Sequence, residues 1–344
     1  MIKLSLIIPI KVTFENRFLL KRLANLASFF AKYQTIELVV VDSTPSSRYR
    51  KKISDIDGIS YHYLSMSGIY SASKARNHGA KRANGEYILF YDVDLVVKSD
   101  FIENIFKDID ELKQKAKEAF TIYPCLYLSE SKSKLLSKHQ MTDKLFEEIK
   151  LRYLEGFNDE VLYLAVNTST ILVSKEHFFD IGGYNEVFKG HGYEDFELIH
   201  RLYLAYPIVQ RAEDYALDFK TPFPYHYQGF RQYFAYYALP NFFKGNYTLH
   251  LWHPRPLTKK YYRNREINLE YFLKYLQESL KEKMDTPIRD YHQFIDDLMN
   301  EYGFNDKKYC GLKELNLIAK AQKPKFNLKR KIRRRFLNLL ERLK

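Results

Sequence analysis

Two aspartates separated by one residue follow an apolar stretch in the first third of the sequence. Residues 87–91 are apolar or aromatic and come after the turn residues Asn84 and Gly85, a pattern typical of a short buried strand. Because residues i and i+2 of an extended chain point to the same side, we expect the Asp92 and Asp94 carboxylates to lie together beyond its carboxyl end. That arrangement suits a hard divalent cation that takes further ligands from a phosphate. A strand that simply ends in a polar loop would have the same pattern.

A second acidic pair, Glu194 and Asp195, follows the segment Gly-His-Gly-Tyr at residues 190–193. The apolar spacing after this pair predicts a helix, so both acids would lie in its first turn. Carboxylates are favoured there because the first N–H groups of a helix lack partners. Ordinary capping of the helix explains the pair equally well.

Two histidines, His250 and His253, flank the single tryptophan, Trp252, in the segment 247–254. If this segment were a strand, a spacing of three would point the imidazoles to opposite faces, and they need not share a ligand. The alternative is a pair of structural histidines whose ring nitrogens are satisfied by neighbours.

Strands and helices are predicted to alternate along the first hundred residues. The predicted strands are residues 4–10, 36–42, 59–64 and 87–91, and the predicted helices between them are residues 16–32 and 71–84. This alternation indicates βαβ units and a mostly parallel sheet, which binds ligands beyond the carboxyl ends of its strands. Asp42 would therefore share one crevice with Asp92 and Asp94. Because no glycine-rich phosphate loop follows either strand, the sequence argues against a dinucleotide-dependent dehydrogenase or a P-loop enzyme.

The remainder of the chain is predicted to form additions around this sheet. Residues 129–156 are rich in Ser, Lys and Glu and are expected to be an exposed insertion. Residues 212–246 are an insertion dense in aromatic residues, most of which we expect in the core. Residues 257–322 are expected to form a helical extension, since their apolar residues recur at helical spacing.

Positive charge is concentrated at the end of the chain. The 344 residues carry a net charge of +13, and residues 323–344 contain ten Lys or Arg and one Glu, which leaves an ordinary balance for the rest. The apolar residues of this tail share one helical stripe: Ile332, Phe336, Leu339, Leu340 and Leu343. A basic amphipathic helix suits the surface of an anionic membrane, while a docked partner or a nucleic acid is an alternative. We expect no nucleic-acid partner, because no binding module for one is visible.

Cellular location is predicted from cysteines and apolar runs. The two cysteines, Cys125 and Cys310, have no metal-site spacing and indicate a reducing compartment. The apolar run at residues 4–10 is too short for a signal peptide or a membrane span. We therefore expect a cytoplasmic protein that is peripheral at the cytoplasmic face of the inner membrane.

Taken in order, several motifs make the chain resemble family 2 glycosyltransferases of the GT-A fold. They are residues 5–9 (SLIIP), 40–43 (VVDS), 75–79 (ARNHG), 87–94 (YILFYDVD), 181–186 (IGGYNE) and 192–195 (GYED). The last is similar to the corresponding segment of bacterial chondroitin-polymerase domains and animal β-1,4-galactosyltransferases. The resemblance covers residues 4–255 and implies an α/β fold with a Rossmann-like, mostly parallel sheet flanked by helices. It implies a glycosyltransferase domain at residues 1–256.

The resemblance also implies roles for individual residues. Asp94 would bind Mn²⁺ or Mg²⁺ beneath the diphosphate of a UDP-sugar, and Asp92 would contact the ribose or the metal. Asp195 would be the general base, and Glu194 would hold a sugar. The nucleotide would be bound by the following residues: Pro9, Asp42, Lys74 and Arg76.

The family places a further histidine ligand after the base helix. His250 or His253 is favoured here, and His226 is the alternative by its distance along the chain from Asp195. The acceptor or donor sugar would contact the following residues: Asn167, Gly192, Tyr193 and Trp252. The chain departs from the family in one respect, because family members often have two adjacent acids where it has Asp42-Ser43.

The resemblance leads to an expected function. The protein would be an inverting, metal-dependent enzyme that moves a hexose or N-acetylhexosamine from a UDP-sugar. The acceptor would be a growing bacterial surface glycan, such as capsule or lipooligosaccharide, on a lipid carrier at the inner membrane. The alternatives are a nucleotidyltransferase acting on a sugar phosphate and a non-catalytic subunit that binds glycan or serves as a scaffold.

Overall fold

The structure is a computed structural model that describes residues 2–136, 142–254, 260–281, 284–304 and 307–316. Its first half contains these elements: β1 (Leu4–Ile10), α1 (Leu19–Phe30), β2 (Ile36–Asp42), α2 (Ser47–Ser54), β3 (Ser60–Tyr63), α3 (Ala72–Ala80), β4 (Tyr87–Phe90), β5 (Leu95–Val96), α4 (Phe101–Lys115), β6 (Phe120–Ile122), β7 (Cys125–Leu128), α5 (Glu130–Leu136), α6 (Asp143–Leu154) and β8 (Val161–Ala165).

The second half continues with β9 (Ile171–Ser174), α7 (Lys175–Asp180), α8 (Glu194–Ala205), β10 (Asp218–Phe219), β11 (Gln228–Gly229), α9 (Phe230–Ala235), α10 (Leu239–Lys244), β12 (Thr248–His250), α11 (Arg265–Ser279) and α12 (Tyr291–Glu301). Single 3₁₀ turns lie at Glu213–Ala216, Pro224–His226 and Lys260–Tyr262.

Among the described residues, the central sheet has six strands in the order β3-β2-β1-β4-β9-β6. The four strands from β3 to β4 are parallel, whereas β9 runs antiparallel to both of its neighbours. The predicted α/β fold with a mostly parallel sheet is therefore confirmed, with β9 making the sheet mixed. Ile10 lies opposite Asp42 in the register, and Ile7 lies opposite Phe90, so β1, β2 and β4 end at one edge.

Both faces of this sheet are buried, which explains its nearly continuous apolar strands. Leu6 and Ile8 face a core shared with α1 and α4, whereas Ile7 faces the core on the side of α3. Helix α3 lies very close to β1, because a Cβ added at Gly79 would be 2.6 Å from the Ile7 Cγ2 atom. The close approach explains the glycine in the ARNHG motif.

A second sheet carries the histidine segment. Its order is β5-β12-β7-β8, and β12 is antiparallel to β5 and parallel to β7. Strand β5 begins directly after Asp94, so the pairing of His250 with Leu95 brings the chain around His250 beside the acidic segment.

The expectation that residues 129–156 form an exposed insertion is wrong for one face of helix α6. Helix α6 buries Phe146, Ile149 and Leu154, which are at most 1% exposed, in the larger core. The polar composition of the segment describes only its outer face, because an amphipathic helix buries one stripe and leaves the rest in solvent.

The aromatic-rich segment 212–246 belongs mainly to the core, as expected. Its buried aromatic residues are Tyr215, Tyr227, Phe230, Tyr233, Phe234, Tyr236, Tyr237, Phe242 and Phe243. Phe219 is an exception, since its side chain is 48% exposed on strand β10.

The two helices observed in the predicted extension pack against the rest of the protein. The Phe272 ring of α11 lies 5.8 Å from the Tyr193 ring and 6.1 Å from the Phe196 ring of α8. Tyr291 of α12 is also buried and donates a hydrogen bond to the carbonyl of Pro224 at 2.9 Å. In the described part of the chain, no helix is both long and apolar enough to span a membrane. The basic tail lies outside the described residues.

Candidate active site

Asp42 joins the loops that follow β1 and β2. Its side chain is fully buried, and its two oxygens accept hydrogen bonds from the Thr44 N–H at 2.8 Å and the Tyr61 hydroxyl at 2.9 Å. The Thr44 hydroxyl oxygen in turn accepts the N–H of Val12 at 2.8 Å. Burial raises the pKa of Asp42, while the bonds from Thr44 and Tyr61 oppose this shift. Pro9 lies half-buried near the end of β1, so both residues are at the expected edge of the sheet.

Asp94, His250 and His253 form a group of potential metal ligands. One ligand atom from each lies within 4.8 Å of the other two, and His253 Nε2 is 3.4 Å from Asp94 Oδ2. The buried His250 Nδ1 atom has no hydrogen-bond partner among the described residues. Burial lowers the pKa of His250 to about 4, so this imidazole is neutral near pH 7, as a ligand must be. The donor set and the orphaned nitrogen fit a divalent cation.

The two histidines converge because β12 ends at His250. The next residue, Leu251, donates its N–H to the Asp94 carbonyl at 2.9 Å, and the chain then leaves the strand before it reaches His253. The rule that a spacing of three separates side chains holds only within an extended strand. The expectation of opposite faces is therefore wrong for this pair.

Asp92 is not part of this ligand group. Its Oδ2 atom accepts a hydrogen bond from the Ser169 hydroxyl at 3.0 Å, and its Oδ1 atom is 3.4 Å from Arg76 Nη2. The expectation that the Asp92 and Asp94 carboxylates lie together on one side of an extended chain is wrong, because β4 ends at Phe90. The chain turns after it, and the Leu95 N–H donates a hydrogen bond to the Asp92 carbonyl at 3.1 Å. The two acids therefore contact different partners.

Arg22 of α1 is a site residue that the sequence did not reveal. It forms an ion pair with Asp94 and donates hydrogen bonds to the carbonyls of Leu251 at 3.3 Å and Trp252 at 2.9 Å. These contacts tie the acidic segment to the chain that carries His253. In the sequence, Arg22 is only one polar residue of an amphipathic helix, so no local signal distinguishes it.

A second group of side chains is assembled around Arg76 of α3. This guanidinium is 4% exposed, and its Nη1 atom lies 2.6 Å from Asp195 Oδ1 and 3.9 Å from Glu194 Oε1. Its Nη2 atom contacts Asp92, so Asp92 and Asp195 lie against one guanidinium. The role of Arg76 in binding a nucleotide stays a prediction, and its ion pairs among the described residues are with these carboxylates.

Glu194 and Asp195 occupy the first turn of α8, as predicted. The Asp195 side chain is 25% exposed, whereas that of Glu194 is 8% exposed. Burial raises the pKa of Asp195, and the positive charge of Arg76 opposes this shift. Burial and then the neighbouring Asp195 raise the pKa of Glu194. Asp195 is therefore the more accessible carboxylate.

The turn at residues 181–186 positions a tyrosine against Asp195. The Tyr184 hydroxyl donates a hydrogen bond to Asp195 Oδ1 at 3.1 Å. Asn77 of α3 holds this tyrosine, because its amide accepts from the Tyr184 N–H and donates to the Tyr184 carbonyl, both at 2.8 Å. The motifs ARNHG and IGGYNE thus meet in space.

The loop before α8 has unusual backbone geometry. Gly192 has φ of +100°, and Tyr193 has φ of +74°, the one positive value among the described residues that are not glycine. The Tyr193 hydroxyl donates to Asp218 Oδ2 at 2.9 Å and accepts from Arg265 Nη1 at 3.2 Å. Tyr193 is 5% exposed and anchors the loop, so most of its surface is unavailable to a sugar.

The remaining predicted residues lie in different surroundings. Lys74 is exposed on α3, and Asn167 is half-buried and donates to the Arg231 carbonyl at 3.0 Å. Trp252 is half-buried, and its backbone N–H donates a hydrogen bond to the Ser133 hydroxyl oxygen at 2.8 Å. His226 is exposed, with Nε2 at 3.0 Å from the Lys313 carbonyl oxygen, and does not belong to the ligand group of Asp94.

The sequence matches the family described as glycosyltransferase like family 2 over residues 5–278. This match extends beyond residue 255 and covers most of α11. Among curated proteins, no sequence matches this chain. The match to the family favours sugar transfer over the nucleotidyltransferase and non-catalytic alternatives.

The chain is also similar to solved structures of glycosyltransferases. TarS residues 1–349 from S. aureus share 20% sequence identity with this chain at a TM-score of 0.37. The alignment covers 59% of this chain and 56% of that one, and it covers 34% of a longer TarS chain. For the mannosyltransferase PcManGT from Pyrobaculum calidifontis the identity is 12% and the TM-score 0.43, over 90% and 72% of the two chains. For Drosophila β1,4-galactosyltransferase 7 the identity is 16% and the TM-score 0.30, over 60% and 62%.

The assignment rests on the sequence match to the family, which spans well over half of the chain. This protein therefore belongs to family 2 of the glycosyltransferases, and its mixed α/β sheet flanked by helices is the GT-A fold of such an enzyme.

Proposed function

We propose that this protein is an inverting glycosyltransferase that depends on a divalent cation. It transfers a hexose or N-acetylhexosamine from a UDP-sugar to a hydroxyl of a growing bacterial surface glycan, such as capsule or lipooligosaccharide. Membership in family 2 supports the class of reaction. The resemblance of its acidic motifs to those of UDP-sugar enzymes supports the choice of donor.

The observation that carries this proposal is the division of the site into two groups of side chains. Asp94, His250 and His253 form a potential cation site, and Asp195 is a partly exposed carboxylate. Arg76 connects them, since it contacts Asp195 and also Asp92, two residues before Asp94. An inverting transfer needs these two functions, a base for the acceptor hydroxyl and a positive charge for the leaving diphosphate.

Asp195 is the proposed general base. Its greater exposure allows an acceptor hydroxyl to reach a carboxylate oxygen, whereas Glu194 is nearly buried. The Arg76 guanidinium and the Tyr184 hydroxyl both hold Asp195 Oδ1, which leaves Oδ2 to accept the proton as the glycosidic bond forms. The sugar anomeric carbon is thereby attacked from the side opposite the leaving group, and its configuration inverts.

A cation held by Asp94, His250 and His253 would neutralise the negative charge that develops on the leaving diphosphate. Two imidazoles and one carboxylate favour Mn²⁺ over Mg²⁺, because Mg²⁺ prefers oxygen ligands. Arg22, which contacts Asp94 and the two carbonyls before His253, keeps these ligands together.

We expect the replacement Asp94→Ala to abolish the effect of Mn²⁺ on UDP binding. Calorimetric titration of UDP with and without Mn²⁺ measures this effect, and in the variant the two affinities should be equal. Asp57→Ala is the matched control, because Asp57 is exposed in the loop before β3, at the opposite edge of the sheet. A Mn²⁺ effect that survives in Asp94→Ala would contradict the proposed cation site.

The histidines provide a second arm of the same test. We expect His253→Ala to weaken Mn²⁺ binding by at least about tenfold, because it removes one donor of the set. His226→Ala should leave Mn²⁺ binding unchanged. Electron paramagnetic resonance of bound Mn²⁺ measures both affinities without any turnover, and a larger loss in His226→Ala would reverse the assignment.

A further inference from the structure

Three basic side chains lie beside the loop that leads to α8, and one of them, Arg231, forms an ion pair with Asp218. Arg231 contacts Asp218 Oδ1 through Nε and Nη2, both at 2.7 Å, and Asp218 Oδ2 accepts the Tyr193 hydroxyl. Arg265 donates to the same hydroxyl and lies 4.9 Å from the Tyr193 ring centroid. Lys220 follows strand β10 and completes this set, which we call the cationic cluster: Lys220, Arg231 and Arg265.

Among the described residues, Asp218 is the one carboxylate that forms an ion pair with the cationic cluster, and it does so through Arg231. Arg231 and Arg265 disfavour the charged form of Lys220, and Asp218 favours it. Partial desolvation of the Lys220 ammonium, and then repulsion from Arg231 and Arg265, lower its pKa. Asp218 is already engaged by Arg231 and Tyr193, and neither Lys220 nor Arg265 forms an ion pair with a carboxylate of the described residues. Like charges held close together destabilise the fold unless a ligand of opposite sign compensates them.

The cluster is connected to both halves of the proposed active site. Tyr193 directly precedes Glu194 and Asp195 in the chain, and a Cβ added at Gly192 would be 3.7 Å from Arg265 Cγ. A series of stacked rings leads to the cation ligands. The Lys220 ammonium lies 5.1 Å from the Tyr163 ring centroid, Tyr163 stacks on Tyr127 at 4.6 Å, and Tyr127 stacks on His250 at 4.3 Å.

Two cations of the cluster remain accessible to a ligand. Lys220 and Arg265 are exposed, whereas Arg231 is 5% exposed and serves to hold Asp218. The Tyr163 ring, whose centroid lies 5.1 Å from the Lys220 ammonium, offers an aromatic surface next to that charge. Accessible cations beside an aromatic surface suit a sugar that bears an anionic group, because charge-assisted hydrogen bonds are the stronger kind.

We propose that the cationic cluster is an acceptor subsite for a negatively charged group, either a carboxylate or a phosphate, on the glycan that receives the sugar. This inference rests on the proposed function and adds the class of acceptor: an anionic polysaccharide rather than a neutral one. Lys220 and Arg265 bind the charge, while the hydroxyl that reacts lies at Asp195.

Binding of defined oligosaccharides by the full chain tests this inference. The probes are oligogalacturonate for carboxylates, a glycerol-phosphate oligomer for phosphates, and maltooligosaccharide of similar length as the neutral reference. We expect at least one charged probe to bind about tenfold more tightly than the neutral one, since two exposed charge pairs contribute about that factor. The preferred charged probe identifies the source of the charge.

Paired variants separate the cluster from general charge effects. The double replacement Lys220→Gln/Arg265→Gln should reduce the affinity for the preferred charged probe about five- to tenfold and leave that for the neutral probe unchanged. The matched control, Lys81→Gln/Arg82→Gln, removes two exposed charges just after α3, near the amino end of β4. We expect this control to change neither affinity.

Three results would overturn the inference: equal affinities for the neutral and charged probes, no binding of either charged probe, or equal losses in the two double variants. UDP binding in the presence of Mn²⁺ is measured on the same samples. Its absence in the unaltered protein would contradict the proposed function alone, whereas intact UDP binding without a preference for charge would contradict only the acceptor subsite.

Discussion

Arg76 is the residue through which the acids of the site are organised. A buried guanidinium cannot lose its proton, so its charge must be balanced by nearby carboxylates. Its contacts with Asp92, Glu194 and Asp195 supply that balance. The same contacts fix the position of Asp195 relative to the segment that carries Asp94, which links the two halves of the proposed reaction.

At the residue scale, we expect Asp195→Asn to reduce the rate of transfer at least about 100-fold while UDP binding stays intact. The amide retains the size of the side chain but cannot accept the proton of the acceptor hydroxyl. Comparison of turnover with the calorimetric affinity for UDP checks both parts. Transfer at nearly the original rate would show that another group is the base.

The pH dependence of transfer should respond to Tyr184. Its hydroxyl donates to Asp195 and favours the charged carboxylate, so it lowers the pKa of Asp195 against the larger effect of burial. Tyr184→Phe removes this hydrogen bond, and the pKa of Asp195 must rise. Because the base acts when it is deprotonated, we expect the acidic limb of the profile of kcat/KM against pH to move to higher pH.

The control for this profile is Tyr225→Phe, which removes a hydroxyl that contacts Asp296 outside the site. Its acidic limb should coincide with that of the unaltered protein. A limb that does not move in Tyr184→Phe, or that moves to lower pH, would contradict the role of this hydrogen bond.

At the scale of elements, the turn at residues 181–186 and helix α3 form one unit. The Asn77 side chain satisfies both backbone groups of Tyr184, so the turn cannot shift without losing buried hydrogen bonds. The turn also requires glycine at two consecutive positions, because Gly182 and Gly183 have φ of +87° and +67°. Only Gly183 faces the helix.

Adjacent replacements by alanine separate backbone strain from packing. In Gly183→Ala, the new Cβ would be 2.8 Å from Asn77 Oδ1, so we expect a loss of about 2–4 kcal/mol in the free energy of unfolding. In Gly182→Ala, nothing lies within 4 Å of the Cβ, and only the strain of about 1–2 kcal/mol should appear. Urea denaturation measures both values, and equal losses would mean that the contact with Asn77 is unimportant.

At the scale of the whole molecule, the central sheet, the second sheet and α11 each supply one part of the site. The central sheet positions Asp42, and β12 of the second sheet positions His250 beside Asp94. From α11, the Asn268 amide donates to the Gly192 carbonyl at 3.0 Å and so supports the loop before Asp195. Loss of α11 would therefore disturb the proposed base although this helix contains none of the predicted site residues.

We propose that the basic tail, which lies outside the described residues, brings the enzyme to its lipid-linked acceptor at the cytoplasmic face of the inner membrane. Deletion of residues 325–344 should release the protein from anionic vesicles, because each Lys or Arg near such a surface contributes about 1 kcal/mol. Transfer to a short soluble acceptor should continue. Vesicle flotation checks this expectation, with phosphatidylcholine vesicles as the neutral control, and persistent binding to anionic vesicles would exclude the tail as the anchor.

The sequence alone determined the class of fold and the local position of most site residues. Alternating apolar strands and amphipathic helices specify a parallel sheet, and the acids at strand ends and in the first turn of α8 follow from local rules. Those features depend on neighbours in the chain, so they could be predicted. The prediction that residues 129–156 are exposed failed at helix α6, because the polar composition of a segment does not reveal the buried stripe of an amphipathic helix.

Only the tertiary structure decided which side chains meet. The convergence of His250 and His253 on Asp94 depends on where β12 ends, and the contact between Arg22 and Asp94 joins residues far apart in the chain. The cationic cluster likewise assembles Lys220, Arg231 and Arg265 from separate elements. Such contacts arise from packing between distant segments, which no local pattern of charge or hydrophobicity encodes.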